Sequence, residues 1–335
     1  MTDKVDPVQP TELLWFRGDC HIHSIYSDGE QTPPELAETA RLLGLHFVAT
    51  TDHNTTAAHH AWQQENIAQV FAVILGEEVT TPHGHWLALG LPPGHLVDWQ
   101  YADVVGLHAQ RDLVHDAGGI CVVAHPYAPY PSGTFAYSHV GFDAVEVWNG
   151  TWESDLPWQA DNERALAHWA RQLVVDVPAG RWTPAIGNSD THLRSQMGLP
   201  HNVVAAERLN TDDLLTSIKA GRTWISAATT VDLSFMATFD DQCAQIGDEL
   251  DTHGKSATVQ ATVHGVPFGT VTIHTDAGPI HSESLPGSGT CELSRPVPPT
   301  STFVRAEVRS RTGHMAALSN PVILRDRRTP SQENL

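Results

Sequence analysis

From Leu14 to about residue 225 the sequence repeats one pattern: a short apolar run, an imidazole or carboxylate at its end, then a helical stretch. LWFRGDCHIH closes on His21 and His23, HFVATTDH on His53, and VFAVILGEEVT carries Glu77 and Glu78. ICVVAHP ends in His125, DAVEVWNG is a further strand, and WTPAIGNSDTH ends in Asp190 and His192. Helices are predicted between these runs. PPELAETARLLGL has prolines where a first turn tolerates them and Gly44 as a stop. Others cover about Ala57–Gln69, Asp103–Ala117 before Gly118-Gly119, and DNERALAHWARQL. TDDLLTSIKAGRTWIS closes the series, with Thr211 as N-cap, Asp212 and Asp213 at the positive end of the dipole, and Gly221 at the exit. Strand–helix repetition of this kind predicts a parallel β/α barrel, and such barrels place active sites where strands end. Core histidines scattered by packing needs would not collect at strand ends.

After residue 230 the period changes to two. VDLSFMATF, SATVQATVHG, GTVTIHTDAG and TFVRAEVRSRTG alternate apolar and polar residues between turns, which predicts a small antiparallel β-sandwich. The expected domains are a barrel over 12–229 and a sandwich over 230–326, with tails at 1–11 and 327–335. SLPGSGTCELSRPVPPTS reads as a long loop within the sandwich.

A chain of 335 residues can bury a sizeable core without staples. Its formal charge of −20 disfavours duplex nucleic acid and anionic membranes, because polyanion binding relies on Lys and Arg. The four cysteines form no CxxC pair, and Cys121 in ICVVAHP is expected to be a buried free thiol. No apolar run approaches the ~20 residues of a membrane span, and MTDKVDPVQPTELLWF lacks the build of a signal peptide. A cytoplasmic protein is expected. The sequence carries no signal for its oligomeric state.

The polar strand-end residues are His21, His23, Asp28, His53, Glu78, His85, His125, Asp190 and His192. Burying so many ionisable groups on one rim is costly unless they bind cations. Imidazole and carboxylate suit Zn, Mn or Fe, and this set is large enough for two or three divalent ions if one carboxylate bridges. HxH on an extended strand points both rings the same way, so His21 and His23 can grip one ion while Asp28 returns from the following loop.

GDCHIHSIYSDG, TDHN, GEEVTTPHGH, AHP and GNSDTH, in that order, resemble the motif set of the polymerase and histidinol phosphatase (PHP) superfamily. SDG after HxH, TDHN, and the GRTWIS-then-β tail resemble its CehA/McbA-type metallohydrolase branch, named for carbaryl-hydrolysing members. The resemblance covers roughly residues 15–325. It implies a distorted (β/α)7 barrel with a di- or trinuclear metal site. Carried over by position, it implies ligation by the nine residues above. It selects Glu78 over Glu77 as a bridging carboxylate and His85 over His83, which stays open as a substitute. Asp28 stands where many members have histidine and where this branch has aspartate. Cys20 replaces the usual leucine, a change of core packing.

Other polar residues have competing roles. Asp52 is expected to orient an imidazole, and Glu77 to be structural on the opposite strand face. His59, His60, His108, His115 and His168 fall in helical stretches and are expected to be solvated. Asn54 and Asn188 either cap turns or touch substrate. Arg194 either clamps an anion or forms a surface salt bridge. Glu146 and Trp148 are candidates to line the pocket. The leading functional expectation is a metal-dependent phosphoesterase acting on a monoester, a cyclic nucleotide or a small phosphodiester. Its metal-bridging hydroxide would be managed by Glu78, Asp190 and His192. One alternative keeps the site and hydrolyses a carbamate or carboxylic ester. Another is a non-catalytic module stabilised by metal, whose sandwich binds a sugar or a protein.

Overall fold

The computed structural model describes residues 13–64, 67, 71–100, 104–153 and 160–327. The expected tails and the ends of two expected helices therefore lie largely outside the described residues. The barrel strands are β1 (Leu14–Ile22), β2 (Phe47–Thr50), β3 (Ala72–Thr81), β4 (Gly84–Leu89), β5 (Ile120–Val123), β6 (Ala144–Asn149) and β7 (Ala185–Asn188). Neighbours pair in that order. All pairs are parallel except those of β4, which runs against both β3 and β5. This inverted strand departs from the expected strand–helix alternation. A two-residue turn, Pro82-His83, joins β3 to β4, where Gly84 takes φ +120°.

Helix ends follow local chemistry. Helix Pro33–Leu42 opens with a capping box: the Thr32 hydroxyl accepts the Glu35 N–H, and the Glu35 carboxylate accepts the Thr32 N–H. Gly44 leaves it at φ +76°. Helix Thr211–Lys219 is capped by the Asn210 side chain rather than by Thr211, one residue earlier than expected. Within the expected 57–69 helix, the continuous helical run among the described residues is His59–Trp62.

β7 meets β1 at a seam that asparagine side chains close. The Asn320 amide accepts from Ala185 N and donates to the carbonyls of Ala185 and Thr223. Asn202 Oδ1 accepts from Gly187 N, and Asn188 Oδ1 accepts from Cys20 N and Asn202 Nδ2. Side chains thus take the hydrogen bonds that a neighbouring strand would otherwise supply. A Cβ on Gly187 would strike Ile225, so glycine permits the close approach.

Beyond β1 the sheet continues through β8 (His201–Ala206) and β9 (Thr223–Ser226), both antiparallel. β9 then pairs with β18 (Met315–Ser319), far past residue 230. Backbone pairing therefore crosses the expected 229/230 boundary. The C-terminal region is an antiparallel sandwich: β10 (Asp232–Phe239), β11 (Gln242–Gln245), β13 (Ala257–His264) and β16 (Cys291–Val297) form one sheet. It packs on β14 (Thr270–Thr275), β17 (Phe303–Arg309) and their neighbours. That core also takes in Val203 and Trp224 from the barrel side. β16 lies where a loop was expected. Leu293 and Val297 are buried at period two, and Pro296 is tolerated because β16 is an edge strand. Among the described residues, no helix is long and apolar enough to cross a membrane.

Candidate metal centre

All nine strand-end residues meet in one cluster. His21 and His23 leave β1 on one face and are fully buried, while Cys20 and Ile22 turn into the core. Asp28 returns from the next loop, with Oδ1 3.2 Å from His192 Nε2 and Oδ2 3.6 Å from His53 Nε2. Asp52 fixes that loop, accepting from Ser24 N, Ser24 Oγ and Ser27 Oγ. It holds the loop and not an imidazole, contrary to expectation.

Glu78 is the hub. Its Oε2 lies 2.8 Å from His53 Nδ1, 3.2 Å from His21 Nε2 and 3.3 Å from His23 Nε2. Its Oε1 lies 2.9 Å from His85 Nδ1 and 3.0 Å from His125 Nε2. The inverted β4 brings His85 here, opposite Thr80 in register. His83 is exposed against Tyr137 and stays outside the cluster. Asp190 Oδ1 sits 3.1 Å from His23 Nε2 and 3.3 Å from His21 Nε2. Asn54, His125 and Asp190 all take positive φ, at 51°, 23° and 53°, a costly conformation for residues with a Cβ.

Within the chain these groups are short of partners. His21 Nε2, His23 Nδ1, Glu78 Oε2, His85 Nε2 and His125 Nδ1 are buried without a hydrogen bond among the described residues. Several approach a charge partner closely but off the hydrogen-bonding direction. Buried polar atoms are normally satisfied, so the arrangement fits cations. Three overlapping groups have the span to hold one: His21, His23, Glu78 and Asp190; His53, Glu78 and His85; and His23, Asp28, His53 and His192. Burial would neutralise the carboxylates, but the surrounding imidazoles outweigh it and hold Glu78 and Asp190 well below the usual range. Both are therefore ionised, as ligands must be.

Glu146 emerges as the support beneath the cluster. Its Oε1 accepts from His21 Nδ1 and Asn188 Nδ2, and its Oε2 from His125 N and Asn149 Nδ2. Alternation with Trp148 in EVW is the only sequence signal for it. Trp148 itself is core. Glu77 is buried on the other face, where it accepts from Val97 N, and burial pushes its carboxyl up to about 7. His59 is buried rather than solvated, bonded to the Gly76 carbonyl and to Gly94 N. His115, Cys121 and Asp143 also span a possible ion site. There Lys219, His115 and Cys121 N already satisfy Asp143, and burial pushes the Cys121 thiol up.

The three substrate candidates are engaged within the protein. Asn54 bonds Thr80 N and the Thr80 carbonyl, and Asn188 braces the seam. Arg194 is exposed, 2.8 Å from Glu35, with its backbone N–H on Glu30. Solvent screens an exposed pair of this kind, and its place away from the cluster gives it no part in the chemistry. Arg194→Ala is therefore expected to change kcat/KM by less than about 3-fold; a loss above tenfold would place the guanidinium on the substrate.

Residues 19–140 match the PHP domain family model, and residues 179–223 match the model described as PHP-associated. The uncharacterized protein MJ1587 of Methanocaldococcus jannaschii is 26% identical over 152 residues, 40% of this chain and 82% of that protein. A crystal structure from Bacteroides vulgatus is described as a two-domain protein containing a predicted PHP-like metal-dependent phosphoesterase. It aligns with a TM-score of 0.54 at 13% identity, over 96% of this chain and 100% of that one. The chain therefore has the α/β PHP fold followed by an antiparallel β region, with a PHP domain at 19–140 and a PHP-associated region at 179–223.

Proposed function

We propose that this chain is a metal-dependent phosphoesterase of the CehA/McbA-type branch, acting on a phosphomonoester, a cyclic nucleotide or a small phosphodiester. The observation that carries the reading is Glu78, fully buried, with one ring nitrogen from each of five imidazoles 2.8–3.3 Å from its two oxygens. His21, His23, Glu78 and Asp190 would hold one ion, and His53, Glu78 and His85 a second, with His125 beside them. Asp28, His53 and His192 would hold a third. Such ions supply positive charge for phosphoryl oxygens and acidify water. The residues themselves supply rigidity. Glu146 fixes the ring of His21 from behind, and Asp52 fixes the loop that presents Asp28. The partly open side is formed by Asp28, His53 and His192, and substrate would approach there.

One observation favours a second reading, hydrolysis of a carbamate or carboxylic ester. Arg194, the nearest candidate for an anion clamp, is tied to Glu35 and away from the cluster. Turnover of p-nitrophenyl phosphate, bis-p-nitrophenyl phosphate and a naphthyl carbamate by one metal-loaded preparation separates the two. Hydrolysis of at least one phosphate ester is expected. Strong carbamate turnover with none on either phosphate would replace the first reading by the second.

A further inference from the structure

A phosphoryl group needs hydrogen-bond donors as well as cations, and the amide side chains beside the cluster are already engaged. Asn54 is held by Thr80, Asn188 by Glu146, and Asn149 donates to Glu146 and Asp190. Tyr130 is not so held. It lies in the proline-rich segment that follows His125, AHPYAPYPSG, which has no helical or strand period to reveal it. Its ring centroid is 6.1 Å from that of His85 and 6.4 Å from that of His125. The hydroxyl has no hydrogen-bond partner among the described residues. The ring stands edge-on to His85 and tilted against His125, two members of the cluster, and the carboxylates of Glu78, Asp190, Glu146 and Asp28 act on its hydroxyl.

The ring is also held in place. Gly133 N and Thr134 N donate to the Tyr130 carbonyl, and Thr134 Oγ1 donates to the Ala128 carbonyl. The ring packs over Gly133, where any Cβ would collide with it. A donor fixed before substrate arrives does not have to reorganise as charge develops, and for that reason it stabilises a transition state well.

Resting on the phosphoesterase reading, we infer that Tyr130 is a substrate-contacting catalytic residue whose hydroxyl donates a hydrogen bond to a non-bridging oxygen of the phosphoryl group. The phenol keeps its proton throughout, and no bond to Tyr130 forms or breaks. The contact strengthens as negative charge grows on that oxygen.

The test uses Tyr130→Phe, which keeps the ring and its packing on Gly133. Metal content and melting temperature should match the wild type. On bis-p-nitrophenyl phosphate, kcat should fall by about 10²-fold with KM within about 3-fold, as for an interaction that strengthens in the transition state. Calorimetry with inorganic phosphate on the metal-loaded proteins gives a second reading, with binding to the variant expected to be weaker. An active wild type matched by Tyr130→Phe in kcat and in phosphate binding overturns the role of Tyr130 and leaves the functional reading standing. A wild type that hydrolyses neither phosphate ester and binds no phosphate overturns both. If the wild type binds phosphate without turnover, the binding comparison decides Tyr130.

Discussion

Glu78→Gln is expected to give a folded protein that has lost most of its bound metal and about 10³-fold of its activity. The substitution keeps the shape of the side chain and removes its charge, so β3 should still pair with β2 and β4. What changes is the hub. One carboxylate meets His21, His23 and His53 through one oxygen and His85 and His125 through the other, and it belongs to two of the three overlapping groups that make up the centre. Loss of several kcal/mol of charge stabilisation corresponds to a rate loss of about 10³-fold. Elemental analysis and turnover, measured on one preparation of each protein, check the prediction. A variant with full metal content and rate would show that Glu78 is not the bridging ligand.

Asn320→Ala should lower stability by about 3 kcal/mol, because it strands the buried N–H and carbonyl of Ala185 at once, while the Thr223 carbonyl keeps the backbone N–H of residue 320. Its amide is the clamp at the start of β7, bonded to Ala185 on both sides and to the Thr223 carbonyl. For a chain of this size that loss corresponds to a fall of about 5 °C in Tm. The effect should reach the barrel although Asn320 lies between the last two strands of the C-terminal region, because β7 has a strand ladder only on its β6 side. Scanning calorimetry of the variant tests this; a shift below about 1 °C would mean that the seam is held by packing alone.

What the sequence disclosed depended on whether a residue sits in a repeating pattern. His21 and His23 were legible because an extended strand turns alternate side chains to one face, and the strand-end placement of His53, His125 and Asp190 followed the same logic. β4 was hidden because GHWLAL is buried on both faces and shows no alternation. β16 was hidden because its prolines and flanking glycines imitate a loop, although its inward residues keep period two. His59 departs from the exposure that a helical position predicts because the short helix turns its ring onto β3. Asn202 and Asn320 carry no motif at all. Their role exists only because β7 has an unpaired edge, which a linear pattern cannot show. The boundary near residue 230 was read from a change of period, a change of local structure that does not prevent a sheet from running across it.

The positive φ angles at Asn54, His125 and Asp190 imply that the centre is bought at the expense of the scaffold. A library sorted only for heat tolerance or expression could exchange these strained positions for others without registering the loss of the chemistry. Protein recovered from such a sort would be expected to be sturdier and chemically blank, so any improvement campaign on this chain has to keep an assay of the chemistry in every round.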